Sequence, residues 1–273
     1  WLRVVESPEK RHWSPGSWNG QGYTAPGMNW HSLENKRILG KVPVEADGSA
    51  HFVVPADTFV YFQLLDENEM MIQSMRSGTV LHSGEHTGCT GCHDERRTAP
   101  VWLDDQSSLA MQRSPSRLDP WYGPPREFGF TAEVQPVFDK HCVSCHDGST
   151  EEVADLRSEA GGAVVTPKPV GYVPRLHPDL MTATGGRLTY GPAYDVLIHY
   201  IRRVGIEDDV SLLTPGEYHA DTSELVQLLQ HGHYGVKLDD EAWDRLVTWI
   251  DLNGPCHGTW GDVFPVPDGA HQR

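Results

Sequence analysis

Cys142-Val143-Ser144-Cys145-His146 and, nearer the start of the chain, Cys89-Thr90-Gly91-Cys92-His93 carry one pattern twice. Each is a C-x-x-C-H, the spacing that attaches a c-type haem. Two thiols separated by two residues can add to the two vinyl groups on one edge of a porphyrin. The histidine that follows at once is then carried under the ring, where its imidazole reaches the iron. A zinc ribbon built from Cys89, Cys92, Cys142 and Cys145, or a pair of disulfides, uses the same cysteines. Neither gives a reason for a histidine directly after both pairs. The expectation is two covalently attached haem c groups, with His93 and His146 as proximal iron ligands.

At 273 residues the chain is long enough for about two domains, each with a core of its own. Apolar residues make up 38% and charged residues 22%, a globular rather than a disordered balance. The 20 prolines and 27 glycines point to many turns and long connections, as suits a chain that wraps cofactors. A formal net charge of −16 argues against nucleic acid or an anionic membrane as partner and favours basic proteins. No apolar run approaches the length of a membrane span. Of the five cysteines only Cys256 is left over, either a small buried apolar residue or, with His257, a metal ligand. Haem c is attached on the outer side of the bacterial membrane. The chain also opens at Trp1 without a methionine or a basic-then-apolar leader, which is expected of a mature exported protein or an excised fragment. The expected location is therefore periplasmic or extracellular.

Along the chain, residues 1–36 form an arm rich in Trp, Gly and Pro, with one strand signal at Leu2 to Glu6 and no evident strand partner. Residues 37–100 read as a β domain carrying the first motif. Ile38 to Val44 and Ala50 to Val54 flank a turn with Asp47-Gly48 at its tip, and Phe59 to Leu65 and Met70 to Met75 flank Asp66-Glu67-Asn68. Two hairpins at this spacing predict a small antiparallel sandwich. Residues 101–130, with Pro115, Pro120, Pro124 and Pro125, read as a linker. Residues 131–273 read as a helical, cytochrome c-like domain carrying the second motif. Its predicted helices run from Thr131, placed to cap the first, to Lys140 with a kink or later start at Pro136, from Ala193 to Arg203, from Asp221 to Gln230 with Asp221 and Glu224 at capping-box spacing, and from Asp239 to Asn253. In the last, Trp243, Leu246, Val247 and Ile250 form one apolar face and Gly254 ends the helix. The fold class is thus α+β: a sandwich-like β domain, a helical domain, and long irregular connections.

The second axial position of each iron separates electron transfer from catalysis, because a strong ligand on both faces leaves no place for substrate. Beyond His93 and His146, thirteen histidines and six methionines are available. For the second haem His233 is favoured, since it follows the glycine ending a helix, with His231 and His219 behind it. For the first haem His31, in the aromatic arm, is favoured over His82, His86 and His51. Met70, Met71 and Met75 are read as packing residues. Arg96 and Arg97, just past His93, suit haem propionates or form an exposed basic pair. Asp94 and Asp147 each follow a motif histidine and are placed to stiffen the local turn. No acid, base or nucleophile is placed for catalysis.

The stretch from Arg37 to His93, ILGKVPVEADGSAHFVVPADTFVYFQLLDENEMMIQSMRS leading into CTGCH, resembles the middle domain of the hydrazine synthase alpha subunit family. VQPVFDKHCVSCHDG, followed later by TSELVQLLQHGHYGVKLDDEAWDRLVTWIDLNGP, is similar to the C-terminal cytochrome domain of that family. The resemblance implies a bis-histidine second haem, which His146 and His233 fit at a similar separation. In the enzyme the first haem is catalytic: its motif histidine serves a zinc ion, and a tyrosine four residues later binds the iron. Here that position is Arg97, and the enzyme's β-propeller has no counterpart, so hydrazine chemistry does not transfer with the resemblance.

Two functions follow as expectations. The first is a dihaem electron carrier with both irons bis-histidine, more an electron-transfer protein than an enzyme, whose partners are redox proteins. The alternative is a haem-dependent oxidoreductase, either hydrazine-synthase-like or a dihaem peroxidase, with one open haem. A two-haem relay reaches further if copies stack. The strand at Leu2 to Glu6, added to a neighbour's sheet edge, would build an oligomer or an extracellular cytochrome filament.

Overall fold

The computed structural model describes residues 1–8, 36–75, 77–89, 108–158, 191–204, 214–256 and 258. His31, Cys92, His93, Arg96 and Arg97 lie outside the described residues. The described residues group into two compact units, one built on a sheet and one on helices, a mixed α+β composition.

The sheet unit holds four antiparallel strands: β1 (Leu2–Glu6), β2 (Arg37–Val42), β3 (Val60–Leu65) and β4 (Met71–Ser74), in the order β2-β1-β3-β4. The expectation of an unpartnered Leu2–Glu6 is overturned, because that strand is an inner one. Leu2 faces Val42 on one side and Leu64 on the other, and Val4 lies between Gly40 and Phe62. Val4 and Val5 are fully buried and Arg3 nearly so, its guanidinium donating to Gln63 Oε1 at 3.0 Å. A strand covered on both faces shows no in–out alternation, and LRVVE has none. Both edges of this strand are paired within the chain.

The β3–β4 hairpin forms as expected. Asp66 makes its turn, donating its N–H to Met70 O at 2.9 Å and accepting from Asn68 N and Met70 N at 2.8 Å each. Met70 and Met71 are buried packing residues. The other hairpin does not form. Its turn is present, with Glu45 N on Ser49 O at 2.8 Å, but β2 pairs with β1, and residues 50–54 contribute only a single bridge from Phe52 to Ser116. One sheet, not two, is present among the described residues. Its core of Val4, Leu39 and Val60 is covered by Phe52, Val54, Phe62 and Leu118.

Residues 116–119, read from sequence as linker, close the β2 edge: Lys41 N donates to Asp119 O and Asp119 N to Lys41 O, both at 2.9 Å. Gly40 makes this approach possible. Its φ is +145°, and a Cβ there would sit 2.4 Å from Asp119 O. Gly40→Ala is expected to destabilise the sheet unit by about 1–3 kcal/mol. Urea unfolding followed in the strand signal measures it, and a variant as stable as the parent would show that residues 116–119 yield freely.

The helical unit contains α1 (Phe130–Glu133), α2 (Gln135–His141), α3 (Pro192–Leu197), α4 (Glu224–His231) and α5 (Asp240–Asp251). The helix expected from Thr131 is two short ones, broken at Val134, with Pro136 in the first turn of the second, where its missing N–H costs nothing. Thr131 does not cap it; the chain enters through Gly129, and Phe130 N donates to Cys256 O at 2.9 Å. α4 likewise starts after Ser223 with no side-chain cap, so the box expected from Asp221 and Glu224 is not made.

Trp249 is the centre of this unit and is fully buried. Its ring centroid lies 5.1 Å from that of Phe130 and 6.1 Å from that of Tyr194, and its Nε1 donates to Pro255 O at 3.1 Å. Tyr194 Oη donates to Gly254 O at 2.7 Å, so both large aromatics satisfy their polar ends on the turn that ends α5. Leu246, Val247 and Ile250 are buried beside them as expected, whereas Trp243 is only partly covered. Cys256 is buried, in keeping with its reading as a small apolar residue.

Candidate functional site

The second motif begins where α2 ends. Cys142 N donates to Phe138 O at 2.8 Å and His146 N to Cys142 O at 3.0 Å, so residues 142–146 continue as helical turns past the last α-helical residue. That winding sets two thiols and an imidazole on one short stretch whose base, Phe138, is stacked on Phe130 in the core at a centroid distance of 6.3 Å. The chain then turns back on the histidine. Leu156 N donates to His146 O at 3.0 Å, and Gln135 Nε2 holds Leu156 O at 2.9 Å. Asp147 stiffens the turn as expected, its Oδ1 accepting from Ser149 N at 2.9 Å; that bond and the Ser149 side chain hold its carboxyl below the usual range.

His146 Nδ1 donates to Ala154 O at 3.0 Å. A carbonyl accepts only, so the proton sits on Nδ1 and the Nε2 lone pair is left for a metal. This is the arrangement that orients a ligating imidazole and raises its basicity. Burial, with the Cys145 thiol beside it, pushes the Cys142 thiol up to about 11. Reactive C-x-x-C cysteines shift the other way, toward thiolate, so Cys142 stays a protonated thiol. Cys89, Cys142 and Cys145 are all unbridged.

The structure brings His233 to His146. The two ring centroids are 5.9 Å apart and the planes 32° from parallel. Gly232, at φ +94°, ends α4 and releases the chain, and His233 starts a tight turn closed by Val236 N on His233 O at 2.9 Å. Of the other two histidines considered, His231 lies on α4 with its Nδ1 donating to Gln227 O at 2.7 Å, and His219 is buried, its backbone N–H donating to Arg202 O at 2.8 Å. Two imidazoles on opposite sides of one metal ion, each bonded at about 2 Å, place their ring centroids about 6 Å apart. The observed separation fits one ion between them.

In the sheet unit, Cys89 is exposed and its motif partners lie outside the described residues. His51 has a buried Nδ1 with no hydrogen-bond partner among the described residues. His82 is exposed and binds Asp57 Oδ1 through Nδ1 at 2.6 Å, which raises its pKa. His86 is exposed. No group of three or more His, Cys, Asp or Glu among the described residues is arranged to hold a metal ion. No helix among them is long and apolar enough to cross a membrane.

Residues 1–94 match the family model of the hydrazine synthase alpha subunit middle domain, and over that stretch the chain is related to that family. The chain is also similar in fold to a solved structure of hydrazine synthase from Kuenenia stuttgartiensis, with a TM-score of 0.50 and 16% identity across 93% of the present chain. It spans 38% of that chain's length. Among curated proteins none is detectably similar.

Proposed function

We propose that the chain is a c-type cytochrome of the periplasm or cell exterior that passes electrons through two covalently attached haems. Cys89, Cys92 and His93 would hold the first; Cys142, Cys145 and His146 the second, with His233 as its opposite axial ligand. The observation that carries the reading is the 5.9 Å pairing of His146 and His233 beside two unbridged cysteines. A bound haem supplies one-electron exchange between ferric and ferrous iron. The chain's own residues do the rest. The Ala154 carbonyl keeps the proton on His146 Nδ1, the two imidazoles deny substrate a coordination position, and the turn from His146 to Leu156 keeps one of them in place. Redox proteins with basic docking faces suit the net charge of −16.

A second reading, a haem-dependent oxidoreductase with an open first haem, draws on the match of residues 1–94 to an enzyme's domain. Carbon monoxide added to the reduced protein separates the two. A carrier leaves both haems closed, whereas an open first haem shifts its Soret band at once. His233→Ala is expected to open the second haem to carbon monoxide and give a high-spin ferric spectrum. A variant whose spectrum is unchanged would remove His233 from the iron.

A further inference from the structure

The chain from His233 to α5 is short, and both of its ends are held. At the near end, Tyr234 and Gly235 have φ of +48° and +79°, both left-handed, and with the bond from Val236 N to His233 O they make a tight turn. A bulky residue in that conformation is uncommon, and Tyr234 is 97% exposed, so burial does not offset the strain. Its ring stands edge-on to His233 at 4.9 Å. The turn keeps its shape at a cost.

At the far end is Asp239. Its Oδ1 accepts from Ala242 N at 2.9 Å and caps α5. Its Oδ2 accepts from Lys140 Nζ at 2.6 Å, and His141 Nε2 lies 3.7 Å from the same oxygen. Lys140 and His141 are the last two residues of α2, directly before Cys142. One carboxylate therefore joins the start of α5 to the end of the helix that delivers the second motif. Lys140 and Asp239 are 65% and 49% exposed, so their ion pair adds little to global stability. Its effect is local: it sets where the His233 turn sits relative to residues 142–146.

We infer that Asp239 is a positioning residue for the second haem, clasping the end of α2 through Lys140 and His141 so that the short turn between α4 and α5 holds His233 opposite His146. The inference rests on the bis-histidine reading of that haem.

The test uses the full haem-loaded chain and three variants. Asp239→Ala removes cap and clasp. Asp239→Asn keeps the cap through its one amide oxygen but turns an uncharged NH2 toward Lys140, so it loses the ion pair. Lys140→Met keeps the cap and loses the ion pair. The readouts are carbon monoxide binding to the second haem of the reduced protein and hydrogen exchange of the amides at residues 232–238. Asp239→Ala is expected to raise both several-fold, and Lys140→Met and Asp239→Asn, which each keep the cap and lose the ion pair, to raise them less. If Asp239→Ala leaves both unchanged, the inference falls. It also falls if Lys140→Met matches the parent while Asp239→Ala does not, since the residue would then act only as a helix cap. A parent protein whose second haem binds carbon monoxide without any substitution would sink the bis-histidine reading itself, a result distinct from either of these.

Discussion

Replacing Cys142 and Cys145 together by serine is expected to leave the chain with one covalently held macrocycle instead of two. Thioether attachment is all-or-none: a serine hydroxyl does not add to a vinyl group under the conditions in which a thiol does. His146 remains, and with His233 it can still bind iron, but a haem held only by its ligands is stripped by acid–organic extraction. The mass of the denatured protein reads the difference directly, and the absorbance of the extracted pyridine complex should halve in the covalent fraction. The local geometry makes this a clean experiment. Residues 142–146 are wound in helical turns on Phe138, and Cys145 is exposed, so the substitutions remove sulfur without opening the core. A double variant that keeps two macrocycles, or a parent protein whose denatured mass is that of the bare chain, contradicts the proposal. If zinc rather than iron is recovered in proportion to these cysteines, the ribbon alternative takes its place.

Trp249→Ala is expected to cost the helical unit about 3–5 kcal/mol, the range for deleting a fully buried large aromatic. Three things are lost together. The ring packs on Phe130 and Tyr194, its Nε1 holds Pro255 O at 3.1 Å, and its removal leaves a cavity between α1, α3 and α5. Pro255 lies next to Cys256, whose carbonyl holds Phe130 N, so the end of α5 and the start of α1 loosen with it. Because α2 leads into the motif, the same variant should also broaden the haem bands. Urea unfolding followed by the helical signal gives the number, and Trp249→Phe, which keeps most of the volume, should recover more than half of it. A Trp249→Ala variant within about 1 kcal/mol of the parent would mean that the site collapses around the gap or that the core lies elsewhere.

Both substitutions sit at positions of different legibility. The cysteines are legible because thioether chemistry demands a local spacing that survives any fold. The α5 helix was legible too, from apolar residues at helical period and Gly254 at its end, where φ is +68°. Which tryptophan the core takes was not. Trp243 and Trp249 sit on one helix, and the sequence pattern selects Trp243. Only the approach of Phe130 and Tyr194 makes Trp249 the buried one. The β3–β4 hairpin was legible because Asp66 and its neighbours close it locally, within a few residues. The partners of Leu2–Glu6 were not, since LRVVE meets chain from residues 37–42 and 60–64, and hydrophobic pattern carries no address over such separations. Residues 50–54, AHFVV, by composition a strand, lost that state once β1 occupied the edge of β2.

What residue order alone determined is the chemistry: thiols and imidazoles at a spacing suited to a porphyrin, a strongly acidic surface, and elements whose signals lie within a turn or two of chain. Tertiary structure decided which elements meet. It put Leu2–Glu6 inside a sheet and brought the His233 ring within 5.9 Å of His146. The division has one cause. Bonding geometry and turn propensity act between neighbours along the chain, whereas burial and ligand pairing act between neighbours in space.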